Sequence, residues 1–472
     1  MEQYIVNTTS GKVQGYERNR RIEYLGIPYA EAPVGELRFK RAVPKKHWDG
    51  IYDAKDYGPV PVQMEGGIKK GSEDCLFVNI KRPLKGDKLP VLVYIYGGGY
   101  NIGSASDPLY SGHSFVDDGI MYISFQYRLN VFGFFDFTTF PGCEGFESNC
   151  GFSDQLLAMH WIRDNVEAFG GDPNKIAICG ESAGGASVIN LMAAPHARGT
   201  FNQAIAESSL PNCVMTHKTA RENIKIFLEG MHWTEKDIPK LKSIEPYDVL
   251  DANELVQQKN QYRNPGMFLP GPVQDDLLPV RPIEAIKSGS AAEVRLIIGT
   301  TKHEGTTFVH PENTGFPNSW DMIDTMFRVN GYENAIPKIR EYYEKYDKPF
   351  VQFATDYAFK MPAIKVAEAQ LIHTRNVWIY RYDYVTKNGF NSGMGATHAC
   401  ELPAVFNVMH DHPWADFIFD GETEEDIRNI CNEVHGNWVS FVKNGVPSAV
   451  DWAPWICRNR SCRKQYHTSY YI

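Results

Sequence analysis

The pentapeptide Gly180-Glu181-Ser182-Ala183-Gly184 follows the apolar run Ile176-Ala177-Ile178-Cys179 and leads into Gly185 and Ala186. An apolar run that ends in a small-residue turn reads as a buried strand passing sharply into a helix, with glycine wherever a side chain would collide with the returning chain. Such a turn lifts one serine clear of the sheet, which makes Ser182 the residue best placed for chemistry. A bare G-x-S-x-G arises by chance in on the order of one chain in five of this length, so its meaning rests on its surroundings.

Those surroundings alternate strand and helix. Val91 to Tyr96, Met121 to Gln126, Ile176 to Cys179, Leu296 to Ile298 and Val377 to Tyr382 are short apolar runs bounded by turn residues, the pattern of strands buried on both faces of a mainly parallel sheet. Between the second and third, Ala158, Ile162, Val166 and Phe169 recur at helical spacing, with Ser153 or Asp154 expected as the cap and Gly170-Gly171 as the stop. Near the C-terminus, Thr423-x-x-Asp426 predicts a capping box for a helix that buries Ile427, Ile430, Val434, Trp438 and Phe441 and stops at Gly445. Residues from about 210 to 290 and 310 to 375 read as mostly helical excursions. No repeat or linker divides the chain, so residues 1–472 are expected to form one α/β domain despite their length.

Composition excludes several roles. The formal net charge is -9, with no basic block or stripe, which argues against nucleic acid as a partner. Met1-Glu2-Gln3-Tyr4 lacks the features of a secretion signal and no apolar run could span a bilayer, so no membrane partner is expected and the chain reads as soluble and cytoplasmic. Nine cysteines show no repeated metal-ligand spacing. Cys143 with Cys150, or Cys457 with Cys462, could close small loops only in an oxidising compartment, and Asn7-Thr8-Thr9 and Asn459-Arg460-Ser461 carry no weight as glycosylation sites without secretion.

A serine hydroxyl is a weak nucleophile at neutral pH and needs a base, a group that orients the base, and donors for the oxyanion. Tyr96-Gly97-Gly98-Gly99-Tyr100 directly follows a strand, and consecutive glycines let amides face a substrate oxygen; Gly98 and Gly99, with the amide of Ala183, are the candidate donor set. Fourteen histidines compete for the base, and composition does not choose among them. Chain order does: where a serine sits on this kind of elbow, an acid and then a histidine follow it. His398 lies beyond the Val377 to Tyr382 strand, and Glu304 just past Leu296 to Ile298, where a solvated loop carboxylate is an equally good reading of the glutamate alone.

At this point the chain resembles the carboxylesterase/cholinesterase family of α/β-hydrolases, and within it the bacterial para-nitrobenzyl-esterase type. The likeness runs nearly end to end, through Gly26-Ile27-Pro28-Tyr29-Ala30, Leu37-Arg38-Phe39, Ser72-Glu73-Asp74-Cys75-Leu76, Tyr127-Arg128-Leu129, Phe169-Gly170-Gly171-Asp172-Pro173, the elbow, Glu304-Gly305, His398 with Glu401-Leu402-Pro403, and Trp452-x-Pro454-Trp455. The resemblance implies an α/β-hydrolase fold, with a large mostly parallel twisted sheet flanked by helices and helical excursions over the active site. It further implies a Ser182, Glu304, His398 triad, an oxyanion hole from Gly98, Gly99 and Ala183, no metal or organic cofactor, and structural ion pairs Arg38–Glu73 and Arg128–Asp154. Glu181 and Glu401 stay outside the catalytic set.

The function implied is hydrolysis of small carboxylic esters through an acyl-enzyme. A non-catalytic scaffold of the same fold is the alternative, as is an amide, thioester or lactone hydrolase using the same triad. Departures from the family narrow this. Cys75 lacks the upstream partner that secreted relatives have, which favours a reducing compartment, and Gln63 to Ser72 lacks the tryptophan that binds choline, which disfavours choline esters. Ser208-Ser209 stands where many relatives have Ser-Gly, and Ala404 and Asn407 replace an aromatic and a glycine. Tyr100, Leu210 and Phe268 are pocket candidates by position. Nothing in the sequence sets the oligomeric state, and a monomer is compatible with it.

Overall fold

The apolar runs are brought side by side in one ten-stranded sheet, seen in a computed structural model that describes residues 4–263, 270–310, 316–455 and 470–471. Its strands, numbered within that sheet, are β1 (Tyr16–Arg18), β2 (Arg21–Pro28), β3 (Phe77–Pro83), β4 (Leu89–Ile95), β5 (Met121–Phe125), β6 (Gly171–Glu181), β7 (Gln203–Glu207), β8 (Arg295–Thr301), β9 (Val377–Tyr382) and β10 (Tyr470–Tyr471). Their spatial order is β10-β9-β8-β7-β6-β4-β5-β3-β2-β1; the strands from β5 to β10 run parallel and β3, β2 and β1 antiparallel. Val91, Val93, Ile95, Ile176, Ile178 and Ile297 are all fully buried, as expected where helices cover both faces of a parallel sheet.

The crossover helix α1 (Cys150–Asn165) joins β5 to β6 and differs from its predicted bounds. It begins after Asn149, whose backbone is left-handed, so neither Ser153 nor Asp154 caps it; it ends at Asn165, and Gly171 already belongs to β6. The reason is electrostatic. Asp154 is fully buried within the helix, where Oδ2 accepts from the backbone N–H of Arg128 (3.0 Å) and from its Nε (2.8 Å), and Oδ1 accepts from Nη2 (2.6 Å). Asp154 thus turns its carboxylate to Arg128 from inside the helix instead of to the helix terminus. The other expected pair is also formed: Arg38 Nε donates to Glu73 at 2.6 Å, and Nη1 reaches the carbonyls of Leu241 and Ile244, tying the N-terminal region to the first helical excursion.

After β6 comes α2 (Ala183–Ala193). The first excursion contains α3 (His217–Met231) and α4 (Leu250–Arg263), packed over a phenylalanine cluster that includes Phe39, Phe135, Phe137 and Phe227. The C-terminal helix α5 (Glu424–Asn444) keeps the expected bounds and buried face: Thr423 Oγ1 accepts from the Asp426 amide, the five named apolar residues are buried, and Gly445 closes it at φ 75°. Of the expected capping box only this half forms, because Asp426 Oδ2 accepts from the Thr423 hydroxyl. Cys75, Cys143 and Cys150 are buried free thiols, while Cys457, Cys462, Asn459-Arg460-Ser461 and Phe268 lie outside the described residues. Among the described residues no helix is long and apolar enough to cross a membrane.

Candidate active site

Five parallel strands deliver side chains or turns to one edge, the carboxyl ends of the sheet, where open α/β sheets place their chemistry. β4 runs into Gly97 to Gly99, β6 into Ser182, β7 into Ser208, β8 into Glu304, and β9 through a longer loop into His398.

Ser182 sits at φ 58°, ψ -121°, a conformation that strains any residue with a β-carbon. Its position is over-determined: its N–H donates to Glu207 O at 3.0 Å and its carbonyl accepts from Ala186 N–H at 2.8 Å. Gly184 permits the turn, because a β-carbon there would stand 2.0 Å from the Ile95 carbonyl oxygen. The same crossing brings the glycine loop against the elbow. Gly98 has φ 100°, open to glycine alone among common residues, and its carbonyl faces away from the cavity to accept from Asn101 and Ile102 amides. Among the described residues the N–H groups of Gly98, Gly99 and Ala183 donate to no protein acceptor, which leaves all three available.

Glu304 and His398 meet. Glu304 Oε2 lies 2.5 Å from His398 Nδ1, and its Oε1 accepts from Ser208 Oγ (2.6 Å) and from Thr301 N–H (2.8 Å). Two further bonds, His303 N–H to Ala396 O (2.8 Å) and Ala396 N–H to His303 Nδ1 (3.0 Å), clip the two loops together. The His398 imidazole packs against the rings of Phe308 and Phe359, at centroid distances of 4.9 and 5.0 Å. Ser182 and His398 line one cavity of about 720 Å³ together with Gly98, Gly99 and Leu210. No hydrogen bond joins Ser182 to His398 in this free state; His398 Nε2 instead lies 3.0 Å from Glu181 Oε1, in ion-pair range but without hydrogen-bond alignment. Of the pocket candidates, Leu210 lines the cavity, whereas Tyr100 is core and directs its hydroxyl to Ser187 and Asn190.

Around His398 lies a buried group of four glutamates, Glu181, Glu207, Glu304 and Glu401. Burial, and then the proximity of the other carboxylates, pushes the Glu181 and Glu401 carboxyls well above the usual range, and neither Glu401 oxygen has a hydrogen-bond partner among the described residues. Glu207 is pushed up by burial to about 8, although the Trp438 indole N–H donates to it. Sequence reasoning missed Glu207 and the role of Ser208. Both follow from register, since Glu207 pairs with Glu181 across β6 and β7, and no local signal announces that.

A carboxyl whose folded pKa is raised binds a proton that the unfolded chain has released, so its contribution to stability is full below the unfolded value and is lost as pH climbs to the folded one. For Glu207 that window runs from about 4.5 to about 8. Glu207→Gln keeps an acceptor for Trp438 and cannot ionise, so calorimetry should show a shallower fall in Tm between pH 5 and 8, with the variant ahead by a few degrees at pH 8. An unchanged slope would place the titrating groups elsewhere.

Residues 2–469 match the model of the carboxylesterase family. Para-nitrobenzyl esterase of Bacillus subtilis is 33% identical over 467 residues, covering 96% of this chain and 92% of that one, and phenmedipham hydrolase of Pseudarthrobacter oxydans is 31% identical, covering 94% and 90%. A solved PNB esterase structure aligns with a TM-score of 0.83 at 33% identity over 95% of this chain and 92% of that one. A carboxylesterase of Geobacillus stearothermophilus aligns with a TM-score of 0.80 at 33% identity, with the same coverage.

Proposed function

This chain belongs to the carboxylesterase family, a carboxylic-ester hydrolase on an α/β-hydrolase fold, and from that premise we propose that Ser182, His398 and Glu304 carry its reaction, with Gly98, Gly99 and Ala183 as the oxyanion hole. The observation that carries the reading is the 2.5 Å contact of Glu304 with His398 on the wall of the cavity that also holds Ser182. His398 Nε2 takes the proton from Ser182 Oγ as the oxygen attacks the ester carbonyl. A side-chain rotation of Ser182 or a small displacement of Glu181 completes the Ser–His bond, as free enzymes often have loose catalytic hydrogen bonds. Each backbone amide facing the developing oxyanion is worth about 3 kcal/mol in the transition state. The imidazolium then protonates the leaving alkoxide, and the same imidazole activates water to release the acid.

Glu304 accepts the Nδ1–H throughout and fixes the tautomer, with Ser208 and Thr301 holding the carboxylate in place. These groups supply every proton transfer and charge the reaction needs, so the proposal includes no metal or organic cofactor. It further takes residues 1–472 as one catalytic domain acting on small esters in the cytoplasm, with no nucleic-acid or membrane partner. An organophosphonate tests the site: intact mass should rise by one phosphonyl group, and peptide mapping should put the adduct on Ser182. An adduct on any other serine would overturn the assignment.

A further inference from the structure

The cavity above Ser182 has walls of two kinds. One is apolar, from Leu210, Ile102 and Phe308; the other is the inward face of α4, and it is polar. Positions 250, 253, 254, 257 and 260 share one face of this helix at i+3 and i+4 spacing, and after Leu250 they read Asn253, Glu254, Gln257 and Asn260. Ala252 and Val256 of α4 are buried in the phenylalanine cluster, with Leu255 packed against it, and Leu250 belongs to that cluster while also lining the cavity. A helix that packs its apolar stripe on the core and its amide and carboxylate stripe on a reaction cavity presents hydrogen-bonding groups to whatever enters.

Charge on that wall is one-sided. Among the described residues lining the cavity the carboxylates are Glu65, Glu181 and Glu254, and no lysine or arginine lines it. Glu65 is matched by Lys70 at 2.7 Å, and Glu181 is held toward its neutral form by burial. Glu254 is left facing the cavity without a cationic partner among the described residues. Beside it, Asn253 also lines the cavity and is 6% exposed, with its Oδ1 enclosed in the wall. The other end of that amide is fixed: Nδ2 donates to Asn101 Oδ1 (3.1 Å), and Asn101 Nδ2 donates to Gly99 O (3.3 Å), so the polar wall is bonded to the oxyanion loop.

On the reading that Ser182 is the nucleophile of an ester hydrolase, we infer that this cavity selects esters carrying a protonated primary or secondary amine, held by the Glu254 carboxylate. A carboxylate recognises N–H donors directionally. A quaternary ammonium has none to offer and calls for aromatic faces instead. The net charge of -9 also favours the approach of a cation.

The test compares kcat/KM, followed by pH-stat, for matched esters: an ω-ammonium chain, its methyl-terminated isostere and its trimethylammonium analogue, with the variable chain on the acyl side in one series and on the alcohol side in another. In at least one series the ammonium ester should lead its neutral isostere by about tenfold, mostly through KM, as one charge-assisted hydrogen bond would give. The trimethylammonium ester should fall between them. Glu254→Gln should bring the ammonium-to-neutral ratio within about twofold, and raising the ionic strength should lower the wild-type ratio. A wild-type ratio near one in both series would overturn the inference while leaving the esterase site intact. A tenfold ratio that survives both Glu254→Gln and high salt would overturn the assignment to Glu254. Hydrolysis of no ester in either series would overturn the esterase reading, and the inference with it.

Discussion

Ser182→Ala is expected to lower kcat on a short-chain aryl ester by about a millionfold, the scale seen when the nucleophile of a serine hydrolase is removed. Neighbouring hydroxyls are engaged or out of reach: Ser208 Oγ is committed to Glu304, Thr307 Oγ1 on the cavity wall is bonded to Thr397 Oγ1 at 2.6 Å, and Thr301 and Ser209 are buried and do not line the cavity. The amides of Gly98, Gly99 and Ala183 remain, so a small residual rate over water is expected. Alanine keeps the β-carbon and with it the same backbone strain at φ 58°, so Tm should move little. Turnover and Tm measured on one preparation therefore separate loss of chemistry from loss of fold. Rates within tenfold of wild type would move the nucleophile to another residue.

Glu304→Gln is expected to cost about ten-thousandfold in kcat with the fold retained. Glu304 accepts from three donors at once, and a glutamine must turn an NH₂ toward at least one of them. If the NH₂ faces His398, it calls for a bare Nδ1 and puts the ring proton on Nε2. Glu181 Oε1 at 3.0 Å then stands ready to accept that proton, reinforcing a tautomer that cannot serve as base toward Ser182. Phosphonate labelling of Ser182 should slow in parallel with kcat, since both need the same proton transfer. A loss below tenfold would show that another carboxylate, Glu181 being the nearest, orients the imidazole.

Ser208 and Glu207 show where reading the chain stopped. Ser208-Ser209 read as a departure affecting pocket shape, yet Ser208 anchors Glu304, and Glu207, which drew no reading from the sequence, sits buried beside Glu181. For Asp154 the local pattern pointed to a helix cap while the family resemblance pointed to a pair with Arg128, and the structure forms the pair. The roles of Ser208 and Glu207 depend on which strands are neighbours. Hydrophobic spacing does not encode that, and only the assembled sheet supplies it. The Thr423 cap was legible because its partner, the Asp426 amide, is three residues away and the bond is local; Asp426 Oδ2 accepts from the Thr423 hydroxyl instead of its N–H, so the reciprocal half of the expected box is not formed.

The sequence by itself determined five strands of the sheet and the strained serine turn, because these rest on steric rules and periodicities that act within a few residues. Tertiary structure alone decided which carboxylates crowd His398, which of them keep their protons, and that α4 turns its amides and Glu254 toward the cavity. Those properties come from desolvation and Coulomb forces between groups far apart in the chain, and they acquire values only once packing has fixed the distances.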